Sequence, residues 1–203
     1  MQIDVQTPNK ATAPAQGSSE GVLLTVPPHG RYYEAVKAGR VFVAHALMGT
    51  DALIFDTEAG QEIVLWNPPD SGVNLSLLSV SYAHITAATG LGDLGIAGYR
   101  PSPTPITETT AITNTACLDG SIRRSQAHAV MTATLIGLDF FYLPLLGVGT
   151  GAITVPLAVK QYFEFDGLIQ VPEGGALALA SCSDVPTAAR FVVGFTWEEI
   201  PRA

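Results

Sequence analysis

From Val22 onward, apolar side chains recur mostly at every second position, the spacing that places them on one face of a β-strand. The strongest run is Arg190 to Glu199. It puts Phe191, Val193, Phe195 and Trp197 on one face and Val192, Gly194, Thr196 and Glu198 on the other. Arg40 to Leu47 does the same, with Val41, Val43, His45 and Leu47 facing opposite to Phe42, Ala44 and Ala46. From Ala127 to Leu138, His128, Val130, Thr132, Thr134 and Ile136 alternate with Ala129, Met131, Ala133 and Leu135. Between Ala176 and Ser181, Leu177 and Leu179 alternate with alanines. Shorter strands are expected at Leu23–Val26, Ala52–Phe55, Glu62–Trp66 and Gly167–Val171, and a long one at Ile153–Phe165 interrupted by Pro156.

In Val73–Tyr82 the phase slips. Val73, Leu75 and Leu77 share a face, which Leu78, Val80 and Tyr82 then continue. One extra residue does this, so a β-bulge is expected near Leu77-Leu78. The turn cluster Asn67-Pro68-Pro69-Asp70-Ser71-Gly72 before it predicts a hairpin between Glu62–Trp66 and Val73–Tyr82. Pro172-Glu173-Gly174-Gly175 predicts another tight turn.

Two regions break the pattern. Residues 1–20 hold Gln, Ala, Pro, Ser and Thr and almost no large apolar group, so they cannot bury enough surface to fold alone. They are expected to form an extended N-terminal arm that lies on a partner or stays disordered. Residues 86–116 are rich in Gly, Pro and Thr and read as a long loop insertion, with a short helix conceivable between His84 and Leu94. Residues 21–203 then make the body. About eight to ten short strands with Gly/Pro turns and almost no helical periodicity predict an all-β, antiparallel β-sandwich, jelly-roll-like.

Composition narrows the function. Only 14% of the 203 residues are charged and the net charge is −8. The mean hydropathy is +0.30. An ordinary soluble domain carries roughly 25% charged residues. Burial of surface against other subunits, helped by Thr, Ser, Asn and Gln elsewhere, accounts for the deficit. A homo-oligomer, a trimer, is therefore expected, with part of Phe140–Val159 in its interface. The acidic balance argues against nucleic acid, since the sole basic pair is Arg123-Arg124 and no basic run surrounds it.

Phe140–Val159 has no charge over 20 residues, but Pro144, Pro156, Gly147, Gly149 and Gly151 suit two strands joined by a loop better than a membrane helix. No membrane span is expected. The N-terminus lacks the basic and apolar regions of a secretory signal. Cys117 and Cys182 read as two buried free thiols. The alternative, one long-range disulfide, needs an oxidising compartment.

Catalytic patterns are missing. His29, His45, His84 and His128 show no metal-ligand spacing. No GxSxG elbow supports a nucleophilic serine. Gly147-Val148-Gly149-Thr150-Gly151 lacks the lysine of a phosphate-binding loop. Glu198-Glu199 falls at a strand end with side chains on opposite faces and reads as a solvated terminus. No catalytic, cofactor-binding or metal residue is assigned, no cofactor is expected, and the chain is read as a non-enzyme.

Three stretches carry a resemblance. Leu65-Trp66-Asn67-Pro68-Pro69-Asp70-Ser71-Gly72 followed by Val73–Val80 resembles an "NPxxSG" hairpin in structural proteins of tailed bacteriophages. Val171-Pro172-Glu173-Gly174-Gly175 followed by Ala176–Ser181 resembles their penultimate hairpin. Phe195-Thr196-Trp197-Glu198-Glu199-Ile200-Pro201 resembles their closing strand. The resemblance covers about 30 residues. It implies a virion component with a jelly-roll-like body, made in the host bacterial cytoplasm. The implied role is a capsid decoration (cement) protein on the virion exterior, binding seams between subunits of the major capsid protein. Two other readings stand beside it. A receptor- or carbohydrate-binding jelly roll (a fibre head) would use exposed aromatics such as Trp66-Asn67 or Tyr32-Tyr33. A cupin-type enzyme would need clustered His and Glu ligands.

Overall fold

The structure, a computed structural model, describes residues 4–6, 12–14, 16–17, 23–24, 30–48, 63–86, 92–101, 107–111, 115–134, 139–148, 160–180 and 190–202. The chain divides into two units, Met1–Glu34 and Ala35–Ala203. In the first, β1 (Asp4–Gln6) pairs with β2 (Thr12–Pro14), and β3 (Gln16–Gly17) with β4 (Leu23–Leu24), as two short ladders. A five-residue helix, α1 (Tyr33–Lys37), spans the boundary. The expected strand at Ala52–Phe55 and the glycines 147–151 beyond Val148 lie outside the described residues.

The second unit is an all-β sandwich. Its strands are β5 (Val41–Met48), β6 (Val64–Trp66), β7 (Val73–Thr86), β8 (Gly92–Tyr99), β9 (Thr107–Ala111) and β10 (Ala116–Cys117). They are followed by β11 (His128–Thr134), β12 (Asp139–Val148), β13 (Lys160–Val171), β14 (Ala176–Ala180) and β15 (Arg190–Pro201). Sheet I has the order β10-β5-β15-β7-β13, and sheet II the order β12-β8-β14-β6-β11-β9. All pairs are antiparallel.

The core lies between the sheets. Phe42, Leu75, Leu77, Val80, Tyr82, Val193, Phe195 and Trp197 of sheet I meet Leu65, Leu94, Ile96, Leu177 and Leu179 of sheet II. The face predicted for Phe195 and Trp197 is this inward one. Trp197 is fully buried and stacks on Phe42 with ring centroids 6.1 Å apart. The predicted bulge is present. β15 steps from Thr196 opposite Ser79 to Trp197 opposite Leu77, which leaves Leu78 as the extra residue.

Two expectations are corrected. The turn at Asn67–Gly72 does not close a hairpin, because β6 belongs to sheet II and β7 to sheet I. The turn at Pro172–Gly175 likewise carries the chain from β13 in sheet I to β14 in sheet II. Among the described residues, no two consecutive strands from β5 to β15 pair with each other. Residues 86–116 are also more than a loop. They contribute β8, a central strand of sheet II, together with β9 and β10.

The glycines of β8 account for the difference between the expected loop and the strand. A Cβ on Gly98 would collide with the Phe141 ring, and one on Gly95 would collide with the Tyr142 ring and the Leu143 carbonyl. Two aromatic side chains of β12 therefore lie across the strand where it has no side chain of its own. Glycine here is a packing residue within a strand, not a breaker.

Candidate functional site

The three stretches that carried the resemblance are far apart in sequence and meet at one end of the sandwich. Asn67, at the exit of β6, is fully buried. Its Nδ2 donates to the Val73 carbonyl (2.9 Å) and to the Val171 carbonyl (3.0 Å), 104 residues away. Its backbone N–H donates to the Gly175 carbonyl, and its carbonyl accepts from the Gly174 N–H. The side chain and backbone of one residue thus fasten both inter-sheet turns together. The long-range bonds replace the ladder that a hairpin would have supplied.

The closing strand completes the lock. Arg202 forms an ion pair with Glu173, whose other oxygen, Oε1, accepts from the Gly72 N–H at 2.7 Å. The Arg202 N–H donates to the Gly72 carbonyl. Glu199 is not a solvated terminus. It is buried, and its Oε1 accepts from Ser125 Oγ (2.6 Å), the Gln126 N–H (2.8 Å) and the Ala127 N–H (3.2 Å). Glu198, on the opposite face, pairs with Arg40 at 3.0 Å. The expectation of opposite faces holds and the expectation of solvation fails. A buried carboxylate persists only with such donors around it.

Glu199 also anchors the 118–126 loop. Arg123 Nη1 donates to the Ala38 carbonyl (2.5 Å), and the Leu118 N–H donates to the Val41 carbonyl (2.9 Å). The Ser121 hydroxyl and amide N–H bind the Asp119 carboxylate and, with the Cys117 side chain, hold its pKa down at about 2. This tied-down loop presents Ile122, fully exposed, and Leu118, about half exposed at 48%. Ile200, 37% exposed, belongs to the same end. The loop's anchors thus hold two apolar side chains in solvent.

A cavity of about 610 Å³ opens beside the second turn. Tyr99, Arg100, Phe141, Gln170 and Pro172 line it. Burial drives the Tyr82 phenol far above its ordinary pKa, so it stays neutral in the core.

The residues weighed for chemistry are scattered. His45 is exposed on sheet I, and His128 is exposed on sheet II with its ring edge-on to Trp66 at 5.4 Å. His84 stands on β7 opposite Phe191, and His29 lies outside the described residues. Among the described residues, no three His, Cys, Asp or Glu side chains gather as a metal site. Cys117 is a buried free thiol, and Cys182 lies outside the described residues. Trp66 and Asn67 are both buried, so they form no exposed aromatic platform. No described helix is long and apolar enough to cross a membrane. Comparison of the chain with protein-family models, curated proteins and solved structures found no match.

Proposed function

We propose that the chain is a non-enzymatic structural protein of a tailed-phage virion, one that decorates the capsid exterior and stabilises seams between subunits of the major capsid protein. It acts as a homo-oligomer, a trimer in the first instance, without nucleic acid or membrane. The observation that carries this reading is the convergence of the three phage-like stretches on one locked end of the sandwich. Asn67, Glu173, Glu199 and Arg202 are used there for fastening. The same end presents Leu118, Ile122 and Ile200. A cement protein needs a stiff body and apolar anchors on its contact surface, and this end supplies Leu118 and Ile122 beside the exposed Asp119, Arg123 and Arg124.

The wiring supports a jelly-roll body. Leaving out β9, β10 and β11, the sheets read β5-β15-β7-β13 and β6-β14-β8-β12, with successive strands alternating between sheets except at β8 and β12, which share sheet II. Eight strands so ordered form two interleaved Greek keys. β9 to β11 are then an insertion that extends both sheets and carries the 118–126 loop.

Co-sedimentation of the purified chain with capsids assembled from the major capsid protein of the same genome tests the proposal. Saturable binding, weakened by Ile122→Asp and Leu118→Asp, is expected. Failure of the folded chain to sediment with capsids would end it. The second reading, a carbohydrate-binding fibre head, draws on the cavity beside Tyr99, Phe141 and Gln170. Glycan-array binding lost on Phe141→Ala would favour it.

A further inference from the structure

Four strands end the two sheets, and three of them are poor templates for another chain. β10 has two residues. The register of β9 on β11 slips twice. β12 carries Pro144, which has no amide hydrogen to donate. The fourth, β13, differs. From Lys160 to Glu164 it follows β7 without a shift and contains neither Pro nor Gly. Among the described residues β7 is its sole ladder partner, and none of them pairs with the backbone groups of its other side.

The pattern of side chains along this segment is self-complementary. Tyr162 is 57% exposed and lies on the outer face of sheet I beside Ser81. A basic residue, Lys160, precedes it by two positions, and an acidic one, Glu164, follows it by two. We propose that β13 pairs antiparallel with β13 of a second copy of this chain, about a two-fold axis at Tyr162. In that register Lys160 of each copy stands opposite Glu164 of the other, Gln161 opposite Phe163, and Tyr162 opposite Tyr162.

Opposite charges and aromatic residues placed directly across a ladder each stabilise it, whereas like charges destabilise it. A parallel in-register pairing would oppose lysine to lysine and glutamate to glutamate. A dyad on a residue also pairs positions of equal parity, so amides pointing out from one edge meet carbonyls pointing out from the other. The ladder is bounded on one side. Phe165 to Leu168 have no register partner on β7, and Asp166 (φ 51°) and Gly167 (φ 83°) turn the strand there. A short isologous contact of this kind doubles whatever unit the chain otherwise forms, and on a capsid it would join neighbouring copies across a seam.

The inference deepens the proposed role but is tested apart from it. Light scattering after size exclusion is expected to give the parent chain twice the mass of the Glu164→Lys variant. The swap Lys160→Glu with Glu164→Lys is expected to restore the parent mass. Tyr162→Cys should form a disulfide-linked dimer under mild oxidation, because residues on the axis face each other at about 4.5–5.5 Å between Cβ atoms. Leu168→Cys, at an even more exposed site (84%), should not, since the two copies of that residue stand roughly 40 Å apart. Equal masses for parent and Glu164→Lys, failure of the swap to restore the mass, or equal cross-linking at both cysteines would overturn the pairing. Capsid co-sedimentation measured in parallel separates the two ideas. Loss of capsid binding with pairing intact refutes the decoration role alone.

Discussion

Across the middle of sheet I the outward row of side chains reads His45, Gly194, Ser81, Tyr162. Across the middle of sheet II it reads Val130, Val64, Ala178, Ala97, Tyr142. His45 and Tyr162 of the first row are exposed. In the second, Val130, Val64, Ala178 and Ala97 are fully buried, and Trp66, Tyr99, Ala176 and Ala180 extend the cluster. Both sheets share one inner core, but among the described residues only sheet II carries a second apolar cluster on its other face. In β14 the alternation is therefore large against small, not apolar against polar, and all five residues are buried. Alanine and glycine leave room for aromatic rings to lie on the strand, as Tyr142 does over Gly95.

The difference can be broken or sharpened by substitution. The largest effect is expected within sheet I, between its two faces. Trp197→Ala should cost roughly 3–5 kcal/mol and Thr196→Ala less than half of that, read from urea unfolding midpoints. Comparable losses would mean that β15 is turned over.

At the end of the same strand, Glu199→Ala removes the acceptor shared by Ser125, Gln126 and Ala127 and should cost about 1.5–3 kcal/mol. Glu198→Ala removes a half-solvated pair with Arg40 and should cost at most about 1 kcal/mol. Equal costs would place Glu199 back in water.

The outer faces are compared directly by enlarging a residue in each. Ala178→Leu should overpack the sheet II cluster and destabilise by roughly 1–3 kcal/mol. Ser81→Leu, on the sheet I face, should stay within about 0.5 kcal/mol. A tolerated leucine at 178 would show that face to be loosely packed.

The smallest effect is local and concerns the 118–126 loop. The Asp119 carboxyl has a depressed pKa in the folded chain, so its contribution is present above the ordinary carboxylate value of about 3.9. It is lost as pH falls toward about 2. Exchange of the Ser121 amide hydrogen should therefore lose protection over that window, once corrected for intrinsic rate. Asp119→Asn should abolish the pH dependence.

Much of the fold was legible because it depends on residues close in sequence. The faces of β5 and β15 follow from strict alternation, and the β7 bulge follows from a phase slip at Leu77-Leu78. Turn chemistry at Asn67–Gly72 likewise marks a reversal of the chain. It does not say whether the next strand stays in the same sheet. That was decided by Asn67 bonding to Val171, a contact 104 residues away. The hairpin expectation failed for this reason, and the loop reading of 86–116 failed for a similar one. Whether Gly95 and Gly98 sit in a strand depends on Tyr142 and Phe141 of β12 arriving across them.

The candidate site divides the same way. The three stretches were visible as motifs, and their joint location was not. Exposure of Ile122 could not be read from its apolar character, because the anchors of its loop, Ala38 and Glu199, come from opposite ends of the body. The sequence by itself determined strand class, inner faces and the all-β architecture, since these follow from the two-residue period of a local chain. The assignment of strands to sheets, the burial of Glu199 and the second apolar face of sheet II were decided only by tertiary structure. They depend on pairings between residues far apart in the chain, and local periodicity carries no information about which partner will arrive.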